Sequence, residues 1–367
     1  MFKFDQLEIV QVEITNRCQA SCPMCPRNIH GGIENPLLPL NDWSLDDFIT
    51  IFSMDVLEQI NQLSFCGDFG DPILNNNLIK MCEYVKEHAP NIEVLIHTNG
   101  SARSASWWKL LAQSLPPNHR VIFALDGLEG THHIYRIGTS FKKIIDNACA
   151  FIQAGGIAEW VFIKFKHNEH QVSEAEKVSA KIGFKRFTVK NSKRFSRPFP
   201  VVDADGKLLY NIEQTTDSVV KFVSKNDVAG HQEWPRADEI HCQSQNDKEL
   251  YIDAHYLLSP CCMIGAFMYT SYDSKLLKQY NLYEEDSIVE EGAKVQEQVL
   301  SFPKFNVLTT GLKNIVDTDQ WQTMWQKKWD ERSSSTCIIM CGPYSPYISI
   351  NEQKIKIVET NAVSYTI

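Results

Sequence analysis

Along the first half of the chain, short runs rich in apolar and β-branched residues alternate with longer stretches whose apolar residues return every three or four positions. The runs at Ile9–Ile14, Gln62–Phe65, Glu93–His97, Arg120–Leu125, Trp160–Phe165 and Phe187–Val189 read as strands. Between them, Leu78–His88 places Leu78, Met81, Cys82 and Val85 on one side of a helix, and Phe141–Gln153 does the same with Phe141, Ile144, Ile145, Ala148 and Ile152. Alternating strands and helices predict parallel strands joined by crossover helices. Six such units predict an α/β fold, a partial or full (β/α) barrel, with ligands gathered at the C-terminal ends of the strands. The alternation stops at Arg197-Pro198-Phe199-Pro200, where two close prolines interrupt regular structure. The expected organisation is a barrel over 1–197, a polar connecting segment over 198–235, and a smaller cysteine-bearing α+β region over 236–347. A tail over 348–367 follows, whose alternating Ile348, Ile350, Ile355 and Ile357 suggest a terminal hairpin. There is no internal repeat and no low-complexity tract.

The 367 residues are 43% apolar and 22% charged, which places the chain among ordinary globular proteins. A net charge of −9 argues against a nucleic acid as the main partner, since binding a polyanion needs positive charge. No run approaches the roughly 18 apolar residues of a spanning helix. The N-terminus lacks the basic start, apolar stretch and cleavage site of a signal peptide. The expectation is a cytoplasmic protein with neither membrane nor nucleic-acid partner. Eleven cysteines are an odd number and cannot all pair. A reducing compartment keeps them as thiols, and their clustering in two groups favours metal or cluster ligation over disulfides.

The first group is Cys18, Cys22 and Cys25, spaced C-x3-C-x2-C in the loop that follows the first strand. Three thiolates are one short of filling a [4Fe–4S] cube, leaving one iron open to a ligand. A structural zinc with His30 as fourth ligand, or unrelated thiols, are the alternatives. The second group is Cys242, Cys261, Cys262, Cys337 and Cys341; Cys261-Cys262 ends an expected strand–turn–strand, and Cys337-x3-Cys341 closes the region. Four of these thiolates would complete a cluster with no open iron, or a structural zinc site. Cys66, Cys82 and Cys149 read as buried thiols, with Cys66 also a candidate for function. The basic stretch Lys185–Arg197 is either a solvated patch or a clamp for a carboxylate, in which Lys190 directly follows the sixth strand. Trp107, Trp108, Trp321, Trp325 and Trp329 read as core. His132-His133 fit a helix start or a substrate contact better than a metal site.

Taken together with the strand-end motifs, the first cysteine group resembles the radical S-adenosylmethionine (SAM) superfamily. Phe65-Cys66-Gly67-Asp68-Phe69-Gly70-Asp71-Pro72 is similar to the family's Gly-Gly-Glu-Pro, with Asp71 where glutamate is usual. His97-Thr98-Asn99-Gly100, Asp126-Gly127 with the following His132 to Gly138, and Asn168 after the fifth strand match further family stretches. The resemblance covers roughly residues 8 to 195. It implies a partial (β/α)6 barrel in which Cys18, Cys22 and Cys25 hold a [4Fe–4S] cluster that cleaves SAM reductively to a 5′-deoxyadenosyl radical, which takes hydrogen from a substrate. It implies SAM contacts from Gly67, Gly70, Asp71, Pro72, Thr98, Asn99, Asp126 and Asn168; the clamp reading of the basic stretch adds Lys190 as a contact for the carboxylate of SAM or of the substrate.

The C-terminal third resembles the SPASM or shorter twitch extension, with Asn314-Ile315, Trp321 and Trp325 in its helix. It departs from that pattern in Ala254-His255 at the turn and in the x3 spacing of the last cysteines. The resemblance implies one auxiliary [4Fe–4S] cluster on Cys242, Cys261, Cys337 and Cys341, with Cys262 as an alternative to Cys261. Peptide or protein modification is the leading expectation, with oxidation of a sugar-like alcohol second; a flavodoxin or ferredoxin would supply electrons. The early start of the barrel implies no fused leader-peptide-binding domain. A non-catalytic iron–sulfur sensor or zinc-binding module is the alternative from another class.

Overall fold

A computed structural model describes residues 1–192, 198–216, 240–267, 269, 305–331, 337, 341 and 357–359. Six parallel strands form its frame: β1 (Ile9–Val12), β2 (Gln62–Phe65), β3 (Glu93–Thr98), β4 (His119–Ala124), β5 (Ala158–Lys164) and β6 (Arg186–Asn191). The helices α1 (Leu45–Ile51), α2 (Met54–Gln59), α3 (Leu78–His88), α4 (Ala105–Ser114), α5 (Phe141–Gln153) and α6 (Val172–Ile182) lie in the crossovers. Local chemistry sets several of their ends. Ser44, Ser104 and Ser140 accept amide hydrogen bonds at the starts of α1, α4 and α5, and Gly183 closes α6 at φ 101°.

Period-two alternation sends one face of each strand into the core. Val10, Val12, Leu63, Phe65, Val94, Ile96, Val121, Phe123, Trp160, Phe162 and Phe187 pack there with Met81 and Val85 of α3, Leu111 of α4 and Phe151 of α5. The opposite face is polar near the N-terminal ends of the strands. Arg120 pairs with Glu93 at 2.7 Å and Glu159 at 3.4 Å, and Arg186 reaches Glu159 at 3.7 Å.

The sheet extends at both edges. After β6 come β7 (Phe199–Val202) and β8 (Leu208–Ile212), an antiparallel ribbon of their own. The expectation that the prolines end regular structure is therefore corrected, because Pro200 lies within β7. In a two-stranded ribbon a strand without that amide is tolerated. Val201 and Ile212 pack with Cys22, Met24, Tyr135 and Phe165, so the ribbon covers the first cysteine loop. His30 stacks on Phe199, and its Nδ1 lies 2.9 Å from Pro200 O.

β9 (Glu249–Ile252) pairs parallel with β1, and β10 (Leu258–Ser259) pairs antiparallel with β9. The left-handed backbone in their turn falls on Tyr256 at φ 66°, one position past the Ala254-His255 where glycine was absent. α7 (Cys262–Phe267) follows, and α8 (Asp319–Asp330) packs Trp321, Trp325 and Trp329 inward. β11 (Ile357–Glu359) adds antiparallel to β6, completing a nine-stranded sheet. The rest of the expected terminal hairpin, and Lys193–Arg197 of the basic stretch, lie outside the described residues. Among the described residues no helix is long and apolar enough to cross a membrane.

Candidate active site

β1 delivers the chain into the loop that carries Cys18, Cys22 and Cys25. Thr15 Oγ1 donates to Asp42 at 2.5 Å, Arg17 pairs with the same carboxylate at 2.6 Å, and Arg27 donates to Asn16 O at 2.6 Å. The Cys25 amide returns to Cys22 O at 3.0 Å, closing a turn around the last two cysteines. All three sulfurs meet polar groups. The Ala20 amide lies 3.4 Å from Cys18 Sγ, Asn99 Nδ2 3.6 Å from the same atom, and a guanidinium nitrogen of Arg136 3.7 Å from Cys22 Sγ. Cys25 Sγ lies 3.6 Å from Asp68 O. Without a cluster, burial pushes the Cys18 thiol well up, with Asp71 adding to it; burial also raises Cys22, against the pull of Arg136.

The end of β2 leans directly on this loop. The Asp71 amide donates to Arg17 O at 2.9 Å. A Cβ on Gly70 would stand 1.8 Å from Thr15 O, and one on Gly67 would stand 2.5 Å from Gly70 O, so both glycines answer to close backbone packing. Asp71 is buried with Pro72, and its Oδ2 accepts from Thr98 Oγ1 at 3.0 Å, the Asn99 amide at 2.7 Å and Asn99 Nδ2 at 2.6 Å. Asp71 thus joins the end of β2 to the end of β3. Burial raises its carboxyl to about 6. Asn99 Oδ1 accepts from Gln19 Nε2 at 2.6 Å, next to Cys18.

A second buried knot lies after β4. Asp126 Oδ2 is 2.5 Å from Arg136 Nε, and its Oδ1 accepts from the Ile163 amide at 2.6 Å. Burial raises the Asp126 carboxyl against the pull of Arg136. Burial also opposes the Arg136 charge, but Asp126 and Cys22 more than offset it and hold the guanidinium protonated. His132 Nδ1 accepts from the Asp126 amide at 3.3 Å, so Nε2 carries the proton toward Thr139 Oγ1 at 2.9 Å; burial and then Arg136 push this imidazole down to about 3. Asn168 is fully buried and spends its side chain on backbone: Oδ1 accepts from the Phe165 amide at 2.7 Å, and Nδ2 donates to Asp126 O and Ile163 O. Lys190 is exposed on the non-core face of β6. Crowding around His97, followed by the charges of Lys190 and Arg120, pushes that imidazole down to about 4.

The C-terminal cysteines separate into two sets. Cys242 donates a hydrogen bond to Cys341, which raises the first thiol and lowers the second. Burial raises Cys261, followed by the charges of Cys337 and Cys242. Cys242, Cys261 and Cys337 pack in one cluster with Trp325 and Trp329. Burial raises the Cys262 thiol, followed by the charges of Asp68, Cys261 and Glu249, and burial raises Cys66, followed by Cys262. Cys242, Cys261, Cys337 and Cys341 thus influence one another, while Cys262 neighbours Cys261 and also faces Asp68 and Glu249. Cys261→Ala is expected to remove about four irons per reconstituted chain, whereas Cys262→Ala keeps the full complement; iron and sulfide analysis decides.

Both donor sets fit iron–sulfur clusters. Amide and guanidinium N–H groups aimed at sulfur are what a ligating thiolate uses. Gln19 Oε1, beside Cys18, is a buried acceptor with no donor among the described residues, and the indole N–H groups of Trp325 and Trp329 are buried donors with no acceptor among them. No three His, Cys, Asp or Glu side chains among the described residues gather closely enough to grip a single ion. A four-iron cube holds its thiolates farther apart than one ion does. Arg136, Gln19 and Glu13 (Glu13 touches the turn after β2) were not singled out from sequence. Arg136 lies within the His132–Gly138 match, which was the available signal.

No family model and no curated relative matches this sequence. Solved structures share its fold. SuiB of Streptococcus suis bound to precursor peptide SuiA has a TM-score of 0.54 at 15% identity, covering 95% of this chain and 74% of that one. SuiB bound to S-adenosylmethionine gives 0.49 at 16% identity, over 70% of this chain and 61% of that one, so this chain spans less than two thirds of that structure's length. Native anSMEcpe with bound AdoMet gives 0.49 at 15% identity, over 82% and 99%. The likeness bears out the α/β fold, with its mostly parallel central sheet, that the resemblance implied.

Proposed function

We propose that this chain is a radical SAM enzyme acting on a peptide or protein. Cys18, Cys22 and Cys25 would hold a [4Fe–4S] cluster with one iron left for SAM, and Cys242, Cys261, Cys337 and Cys341 would hold an auxiliary cluster. When bound, the first cluster and SAM supply one-electron reductive cleavage and hydrogen abstraction from the substrate. The chain's own residues position and enclose. Asp71 and Asn99 fix the ends of β2 and β3 beside Cys18. Arg136, held by Asp126, keeps a positive charge against Cys22. Ribbon β7–β8 packs over the cysteine loop and limits water there. Lys190 offers a carboxylate contact from β6.

The observation that carries this reading is convergence: elements after β2, β3 and β4 all reach the cysteine loop, through Asp71 N to Arg17 O, Asn99 to Cys18, and Arg136 to Cys22. The fold shared with SuiB, whose structure holds a precursor peptide, supports a peptide substrate. Electrons would come from a flavodoxin- or ferredoxin-type donor. Anaerobically reconstituted, dithionite-reduced protein is expected to release 5′-deoxyadenosine from SAM, and the Cys18/Cys22/Cys25→Ala triple variant only background. A fully iron-loaded wild type that releases none, and whose cluster spectrum ignores SAM, would sink the proposal.

A further inference from the structure

Glu13 follows β1 directly and has no part in the roles assigned above, yet its carboxyl is the centre of a buried knot. Oε1 accepts from the amides of Phe69 at 2.8 Å and Gly70 at 2.7 Å, and Oε2 accepts from the Tyr251 hydroxyl at 3.0 Å. Glu13 is 1% exposed. Burying a carboxyl is costly unless its oxygens are satisfied, so these three donors mark what the residue is there to hold. Two of them are consecutive amides of the turn after β2. In a planar trans peptide, N–H and C=O point in opposite directions. Drawing the Phe69 and Gly70 amides toward Glu13 therefore turns the Asp68 and Phe69 carbonyls away from it. The Asp68 carbonyl indeed faces the cysteine loop, 3.6 Å from Cys25 Sγ.

We infer that Glu13 is a positioning residue for SAM, which aims the Asp68 and Phe69 carbonyls at the first cysteine site to receive the SAM amino group. The inference rests on the radical SAM reading. Tyr251 extends this hold to the C-terminal region. It lies on β9 opposite Gln11 of β1, and β9 leads through its hairpin to Cys261. Phe69, inside the turn, meets Tyr269 edge-on at 5.6 Å, and Tyr269 donates to Asp253 at 3.1 Å. The C-terminal region therefore meets this turn directly, at Phe69, and also through Glu13. Burial, with Asp68 adding, raises the Glu13 carboxyl to about 8. Oε1 can accept both amides in either protonation state, as can the oxygen of a glutamine amide.

The test compares wild type, Glu13→Gln, Glu13→Ala and Tyr251→Phe, all reconstituted. SAM affinity is read from the change it causes in the spectrum of the reduced first cluster. Hydrogen exchange of segment 66–71 is measured on the same proteins without SAM. Glu13→Ala is expected to weaken SAM binding about tenfold or more and to speed exchange at Phe69 and Gly70. Glu13→Gln should stay within about threefold of wild type, with exchange protected. Tyr251→Phe should fall between them. Equal losses in the Ala and Gln variants, or unchanged exchange and affinity in Glu13→Ala, would overturn the inference. If the wild-type cluster does not respond to SAM, the functional reading fails; exchange at Phe69 and Gly70 in Glu13→Gln and Tyr251→Phe then still decides whether Glu13 shapes the turn.

Discussion

Asp126→Ala is expected to cost about 3–5 kcal/mol of stability, the range for removing one partner of a buried ion pair. The side chains of Asp126 and Arg136 are 0% and 15% exposed and 2.5 Å apart. Without Asp126 the guanidinium keeps its charge in a place that excludes water, and the Ile163 amide loses its acceptor. In thermal melting of the metal-free, reduced protein this corresponds to a drop of roughly 4–7 °C, given the melting entropy of a chain of 367 residues. An Asp126→Ala/Arg136→Met double variant should recover most of the loss, because no charge is left stranded. A double variant as unstable as the single one would place the cost in the lost Ile163 contact instead. The double variant also removes the cation beside Cys22, so the reconstituted first cluster is expected to shift to a lower reduction potential, since local charge tunes such clusters.

Gly70→Ala is expected to empty the first cysteine site while leaving the fold in place. Its Cβ would stand 1.8 Å from Thr15 O and 2.7 Å from Asn16 Cα, both backbone atoms with no rotamer to yield. Thr15 and Asn16 lead directly into Cys18, so the loop itself has to move. About four irons per chain should be missing after reconstitution, and SAM cleavage should fall by at least about a hundredfold, with circular dichroism unchanged. Full iron loading and wild-type cleavage would show that turn and loop can slide apart without consequence.

What could be read in the sequence was the local pattern. Strand β2 and helices α3 and α5 have the ends their periodicity implied, because their apolar faces alone determine them. Strands whose ends carry polar residues on the non-core face were read too short. Glu159 hides the start of β5, and Arg186 and Lys190 hide the ends of β6. Those side chains serve the ion pairs and the polar face rather than a hydrophobic stripe. The first cysteine group, and the pairs Cys261-Cys262 and Cys337-x3-Cys341 of the second, stood out because their spacing is local. Which of Cys261 and Cys262 turns toward Cys242 was not legible, because it depends on how α7 leaves β10. The clasp of Glu13 and the reach of Arg136 to Cys22 were hidden for the same reason: each joins residues far apart in the chain. The parallel pairing of β9 with β1 is the extreme case, since no pattern in the four residues of β1 announces a partner far downstream.

That pairing has a consequence for the order in which the protein is made. β1, which carries the cysteine loop, finds one neighbour in β2, but its other neighbour is about 240 residues further on. At ordinary rates of synthesis the ribosome needs roughly ten to fifty seconds to cover that stretch. During this interval one edge of β1 is bare, and Glu13 has no Tyr251 to meet. The loop that would receive the first cluster therefore leaves the ribosome well before the strand that completes the sheet beside it and the tyrosine that meets Glu13.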